Sequence, residues 1–213
     1  DRRLVKVTKA MMLIAGDGKT NTFKVNTLDH REWVDREDGL EEKIKENSFD
    51  IVLTNPPFAG THDEPEILGR YDLSYKDNTA KNKRAKKMRK DILFIEKCIR
   101  LVKPGGRIAI VLPQGNLNNP SSEFLRKYIF DNCRLLGCIG LQENTFRPFT
   151  PTKTSVVLLQ KWKDSKNRLS DYKIFMATSE KPGKDNSGNY IYLKNKDGDF
   201  VDEKGISIDT ATT

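Results

Sequence analysis

Cysteine and histidine are scarce in this chain of 213 residues. Its three cysteines, Cys98, Cys133 and Cys138, cannot all pair among themselves, and none stands in a Cys-x-x-Cys spacing. That argues against a disulfide framework, and reduced thiols in a cytoplasmic protein are the economical expectation. His30 and His62 are the only histidines, too few for an ordinary zinc ligand set, so no metal is expected. No apolar run approaches the roughly 18 to 20 residues of a membrane span, which excludes an integral helical membrane protein. The opening Asp1-Arg2-Arg3-Leu4-Val5-Lys6 lacks the apolar stretch of a secretory signal.

Positive charge is plentiful. Lys and Arg number 38 against 30 Asp and Glu, a formal charge of +8, with 36% of residues apolar. The length bounds the chain to one domain, or one with a short appendage. The charge suggests a polyanionic partner. It is also unevenly placed: between residues 81 and 90 seven are basic, namely Lys81, Lys83, Arg84, Lys86, Lys87, Arg89 and Lys90. Such a run is a solvated helix face, a disordered loop or a phosphate-binding segment.

Leu4, Val7, Met11 and Ile14 form one apolar helical stripe, with Gly16 where a C-terminal glycine belongs. Residues 22–26 alternate like a short strand. Residues 49–54 form a compact apolar run that Pro56 and Pro57 must end. Residues 59–80 are polar and expected to be mobile. Met88, Ile92, Ile95, Ile99 and Val102 step by 4, 3, 4, 3, the most regular helix in the chain. After Lys103-Pro104-Gly105-Gly106, residues 107–112 run without polar alternation, as in a strand buried on both faces. Asn119-Pro120 opens another helix, followed by strands at 136–141 and 154–162. Strands alternating with helices predict a three-layer α/β domain. Beyond Trp162 the texture turns β-rich: 172–178 and 190–193 are strand-like, Asn195-Lys196-Asp197-Gly198 is a hairpin turn candidate, and the residues after 207 are expected to fray. The expected division is 1–162 and 163–213.

The sharpest signal is Asn55-Pro56-Pro57-Phe58 at the carboxyl end of an apolar strand, where open parallel sheets bind ligands. Residues 49–58 resemble the catalytic motif of the amino-methyltransferases that act on adenine in DNA, and most of all the modification subunits of type I restriction-modification systems. The similarity continues in order through Leu93-Phe94-Ile95-Glu96, Lys103 to Arg107 and Leu112-Pro113. It runs on through Phe146 and Thr154 to Leu158, and then residues 172–177, so it covers nearly the whole chain. It implies a Rossmann-like fold, S-adenosylmethionine as methyl donor, DNA as substrate, and specificity and restriction subunits as partners.

The tetrapeptide suits that chemistry. An exocyclic adenine amine is a poor nucleophile because its lone pair is delocalised into the ring. Two acceptors that bind both amino hydrogens, the Asn55 side-chain oxygen and the Pro56 carbonyl, favour a pyramidal nitrogen with a freed lone pair. Prolines fix that carbonyl through their φ. Phe58 offers a face for an extruded base. Resemblance further implies a second wall for the base at Phe146 or Phe149. It also implies a cofactor-adenine contact at Asn26-Thr27-Leu28, with Asn26 where the family usually has Asp, and a cofactor contact at Asn55. Phosphate contacts by Lys83, Arg84, Lys86 and Lys87 are expected from the basic run.

One family feature has no match: a Gly-rich loop after a first strand, with an acidic residue for the cofactor ribose. Gly16-Asp17-Gly18 and Gly105-Gly106 both follow helices. The expectation is therefore the carboxyl-side part of the methyltransferase fold, inactive by itself. Two other readings stand beside it. One is an amino-methyltransferase for release-factor glutamine or ribosomal RNA guanine, whose members typically carry Tyr at the Phe58 position. The other is a non-catalytic nucleic-acid-binding module.

Overall fold

A computed structural model describes residues 2–17, 21–34, 39–75, 84–164, 166, 168–181, 183–201 and 206–207. The chain begins with helix α1 (Arg2–Ile14), which ends as expected: Gly16 takes φ +87°, and the Ala15, Gly16 and Asp17 amides donate back to the last-turn carbonyls of Met11, Leu13 and Met12. Its stripe is not covered, with Leu4, Val7, Met11 and Ile14 all exposed. Residues 22–26 form no strand. Alternation makes a strand only where a neighbour completes the hydrogen-bond ladder, and none of the described strands pairs with this segment.

A short helix α2 (Leu40–Lys43) leads to strand β1 (Phe49–Thr54). Then follow β2 (Thr61–His62), α3 (Pro65–Leu68), β3 (Met88–Arg89), α4 (Lys90–Leu101) and β4 (Val102–Pro113). Next come α5 (Gly115–Asn118), α6 (Glu123–Asn132), β5 (Cys133–Gly140), β6 (Thr154–Lys161) and β7 (Phe175–Thr178). The hairpin β8 (Leu193–Lys194) and β9 (Phe200–Val201) turns through residues 195–199, where the Asn195 side chain accepts from the Asp197 and Asp199 amides.

Five strands make the main sheet in the order β1-β4-β6-β5-β7. The β1–β4 and β5–β7 pairs are parallel, whereas β6 runs antiparallel to both β4 and β5. Four strands thus point one way and β6 alone of the five is reversed. The sheet continues past Trp162, because β7 pairs with β5.

Register fixes the two faces. Val52, Ile108, Leu159 and Leu135 lie abreast on one face, and Thr54, Ile110, Val157 and Cys138 on the next row of it. This face joins Leu93, Ile95 and Ile99 of α4 and Leu125 and Ile129 of α6 in one core. On the other face Ile51 and Leu53 are exposed, and Ala109 and Val111 are half-buried. The expected burial of residues 107–112 on both faces is therefore not met. Among the described residues, helices α4 and α6 cover one side only.

Two further expectations shift. Met88 and Val102 continue the apolar stripe of α4 but sit in the flanking strands β3 and β4. Both are buried in the same core, which is why a helical spacing absorbs them. Of residues 59–80, the stretch 61–75 is built into the fold rather than loose. Ile67, Leu68, Tyr71 and Leu73 join the core, and the fully buried Glu96 accepts hydrogen bonds from the amides of Asp72 and Leu73 at 2.9 Å each. Arg100 pairs with Glu96 at 2.5 Å from the next turn of α4.

Candidate active site

The carboxyl ends of β1, β4, β5 and β7 and the amino end of the reversed β6 share one edge of the sheet. Among the described residues, the connections that leave or enter the strands at that edge are 55–60, 114–119, 141–153 and, after β7, 179–181 and 183–190. β1 ends at Thr54 because Pro56 and Pro57 have no amide to donate to a ladder. Pro56 is buried, while Asn55 and Pro57 are exposed and Phe58 is half-buried. The buried proline anchors the end of the strand, and Asn55 is exposed beside it.

Phe58 meets Phe146, a residue of the connection between β5 and β6. Their ring centroids are 5.4 Å apart and the planes cross at 80°. Phe149 is 90% exposed. Of the two aromatic candidates for the second wall, the structure brings Phe146 to the motif and leaves Phe149 in solvent. Phe146 sits in consecutive turns: Thr145 N donates to Gln142 O, Arg147 N to Asn144 O at 3.0 Å, and Thr150 N to Phe146 O at 3.1 Å.

Behind the motif the chain is clamped. The β2–β3 ladder pairs Thr61 with Arg89 and His62 with Met88, and Lys90 N donates to Gly60 O at 3.1 Å. Gly60 has φ +93°, and a Cβ there would touch the Lys90 stem at 3.4 Å, so the loop closes on that lysine. A buried polar cluster stands beside it. The Asp91 carboxylate, 1% exposed, accepts from Arg89 Nε at 3.0 Å and from Asn116 Nδ2 at 2.8 Å. Arg89 also donates to the Asn116 side-chain oxygen. Asn116 is fully buried in α5, so the cluster ties the return strand of the motif to the end of β4. Sequence reading missed this cluster, because Asn116 lies 25 residues or more from both of its partners; an Asp in the first turn of an apolar helix was its only local sign. Burial, and then the charge of Lys90, hold His62 below its ordinary value of 6.5, so it is neutral at pH 7.

The remaining candidates lie as follows. The Asn26 side-chain oxygen accepts from Leu28 N at 3.2 Å, and its carbonyl accepts from Trp33 Nε1 at 3.0 Å. Leu28 is 2% exposed, packed in the core with its carbonyl bound by the Tyr71 hydroxyl. In the basic run, Lys83, like Lys81, lies outside the described residues. Arg84 donates to the carbonyl of Pro65 at 3.0 Å, and Lys86 and Lys87 are exposed. Among the described residues no group of three His, Cys, Asp or Glu could hold a metal ion, and no helix is long and apolar enough to cross a membrane.

The chain as a whole has known relatives. Residues 5–203 match the sequence profile of the N-6 DNA methylase family. The chain belongs to that family. It is 27% identical over 124 residues to the type I restriction enzyme EcoEI methylase subunit of Escherichia coli, a match that covers 57% of this chain and 23% of that one. It is 26% identical over 130 residues to the type II restriction enzyme and methyltransferase RM.Eco57I of the same organism, covering 59% and 12%. The chain thus spans less than a quarter of the length of either relative. Among solved structures, a Listeria monocytogenes protein assigned to the class I S-adenosylmethionine-dependent methyltransferases superposes with a TM-score of 0.50 at 22% identity, covering 62% of this chain and 37% of that one. That likeness establishes the fold: an α/β, Rossmann-like methyltransferase sheet.

Proposed function

We propose that this chain carries the catalytic edge of a DNA adenine-N6 methyltransferase that works as the modification subunit of a type I restriction-modification complex. The observation that carries the reading is the contact of Phe58 with Phe146 beside an exposed Asn55 at the carboxyl end of β1. It joins two acceptors for an amine to aromatic faces for a flat base, on one rigid sheet edge. DNA, a specificity subunit and a restriction subunit are the partners of this reading, and the cytoplasm is its place.

S-adenosylmethionine, when bound, supplies an electrophilic methyl group on its sulfonium. The residues present fit such a donor at two points. The Asn26 side-chain oxygen has one lone pair committed to Leu28 N and one left for an adenine amine, and the Asn55 amide stands exposed at the strand end. Asn55 Oδ1 and the Pro56 carbonyl accept the two hydrogens of the target amine and draw its lone pair out of conjugation. They hold those protons through the attack; the new N–C bond would form as the donor's methyl–sulfur bond breaks, and the methylated nitrogen would then give up one proton to water. Phe58 and Phe146 keep the base from turning. The chain's contribution is positioning and preorganised polarity.

The test is methyl transfer to unmethylated DNA by the full-length protein with Asn55→Ala. Removing one preorganised acceptor should lower the rate by roughly 10² to 10³, with thermal stability unchanged because Asn55 is outside the core. Turnover close to wild type in that variant removes the reading.

A further inference from the structure

The segment after β7 has no part in the reaction described so far, yet it reaches the same edge of the sheet. Residues 183–190 form a turn that closes on itself. Asp185 N donates to Asn189 O at 2.9 Å, Ile191 N to Gly183 O at 2.9 Å, and Lys184 bridges Tyr190. The Asp185 carboxylate accepts from the Ser187 and Asn189 amides at 2.9 Å each and from Asn189 Nδ2 at 3.1 Å. A turn held by its own side chain in this way is a stiff object.

That stiff turn sits against the connection that carries Phe146. The Lys184 ammonium donates to Arg147 O at 2.9 Å, and Asn144 Nδ2 donates to Asn186 Oδ1 at 2.8 Å. Asn144 is 8% exposed, so its amide is satisfied largely by this one partner. Gly188 has φ +92°, and a Cβ there would stand 2.6 Å from Pro148 N and 2.9 Å from Arg147 C. Backbone thus meets backbone with no room for a side chain. Three separate contacts surround the residue that touches Phe58, on Asn144, Arg147 and Pro148.

We propose that residues 183–190 are a brace that sets Phe146 against Phe58, and that Lys184, Asn186 and Gly188 are positioning residues for capture of the target base. The physical argument is the cost of loose geometry. The Phe146 connection is built from turns whose hydrogen bonds span three or four residues, with no ladder of its own. Such a segment holds an aromatic wall in register only if something outside it supplies stiffness. The brace reaches it from about 40 residues further along the chain, and its hydrogen bonds go to the Phe146 connection rather than to the Asn55 motif or Asn26. Its influence should therefore fall on the DNA base and not on the methyl donor. The inference rests on the proposed function, but the brace itself can be observed without it.

The test has two arms on the full-length protein, with Gly188→Ala, Asn186→Ala, Lys184→Met and Lys184→Arg. In the first arm, amide hydrogen exchange at Arg147 and Thr150 should speed up in Gly188→Ala, Asn186→Ala and Lys184→Met relative to wild type, with exchange in α4 unchanged. In the second, kcat/KM for unmethylated genomic DNA should fall on the order of tenfold to 10²-fold in Gly188→Ala, as expected for a displaced contact group, while KM for S-adenosylmethionine stays within about twofold. Lys184→Arg should recover most of the activity that Lys184→Met forfeits, since it restores a donor. Unchanged exchange at Arg147 and Thr150 would overturn the brace. Faster exchange with unchanged DNA kinetics would overturn the positioning role. Full activity in Asn55→Ala would sink the proposed function instead, and leaves the first arm readable.

Discussion

Phe58 and Phe146 touch at a centroid separation of 5.4 Å, edge to face. Two rings that sandwich a third flat ring must stand about two stacking distances apart, so one of them must turn aside for a base to enter. Phe58 follows two prolines, and the backbone around Phe146 is tied to residues 183–190, so a base is admitted by rotation of a ring about its side-chain bonds rather than by a shift of either backbone. Phe58→Tyr should keep activity because it keeps the face. Phe58→Ala should forfeit roughly 1 to 3 kcal/mol of base stacking, about a tenfold to 10²-fold fall in kcat/KM on DNA. Phe146→Ala should fall by a similar factor, and by far more than Phe149→Ala. Steady-state methylation of DNA by the three variants checks this, and equal falls at 146 and 149 would remove Phe146 as the second wall. Spacing could not separate these two phenylalanines, since each lies in the same short connection. Only the approach of a ring about 90 positions earlier does so. The place of the Asn55 motif at a strand end, by contrast, was legible, because two prolines after an apolar run dictate where the strand stops.

At the scale of elements, α4 holds the site's foundations at two points. Its first turn carries Asp91, which orders Arg89 and Asn116 behind residues 55–60. Its middle carries Glu96, which orders residues 72–74 with two amide hydrogen bonds and pairs with Arg100. Glu96→Ala leaves two donors and part of a guanidinium without an acceptor, and should cost roughly 2 to 4 kcal/mol in denaturant unfolding. Burial pushes the Glu96 carboxyl above its ordinary value of 4.5, against the opposing pull of the Leu73 and Asp72 amides and Arg100. A carboxyl whose value is raised in the folded state holds more protons there than in the unfolded chain. Stability then falls as pH rises from about 4.5 towards the raised value. Glu96→Gln should flatten that slope, and a variant with the same pH profile as wild type would show that Glu96 does not set it. The stripe of α4 was readable, but its ends were not, because Met88 and Val102 enter the same core from strands. Burial is continuous across an element boundary, and hydrophobic spacing reports burial. Residues 22–26 fail in the opposite sense: their alternation is a strand pattern with no partner strand among those described.

Over the whole molecule, a formal charge of +8 points to a polyanion, and the basic run at 81–90 is its densest part. The fold divides that run by task. Arg84 is spent on the Pro65 carbonyl and Arg89 on Asp91 and Asn116, while Lys90 lies along Gly60. Lys86 and Lys87 are exposed, immediately before the β3 strand that pairs with β2, a few residues after the Asn55 motif. They are therefore the described members of the run best placed to meet phosphates of a duplex approaching Asn55. Phosphate contacts orient DNA without reading its sequence. In the full-length protein, Lys86→Ala with Lys87→Ala should weaken binding to all duplexes alike. The slope of log K against log salt should flatten by about 0.9 for each phosphate no longer neutralised, hence by up to about 1.8 for the pair. Arg84→Ala should flatten that slope less than either lysine change, since the Pro65 carbonyl holds one edge of its guanidinium away from the duplex. Titrations of one duplex at several salt concentrations distinguish the cases. A double variant with the wild-type slope would mean that these two lysines are simply solvated and that DNA is held elsewhere on the molecule.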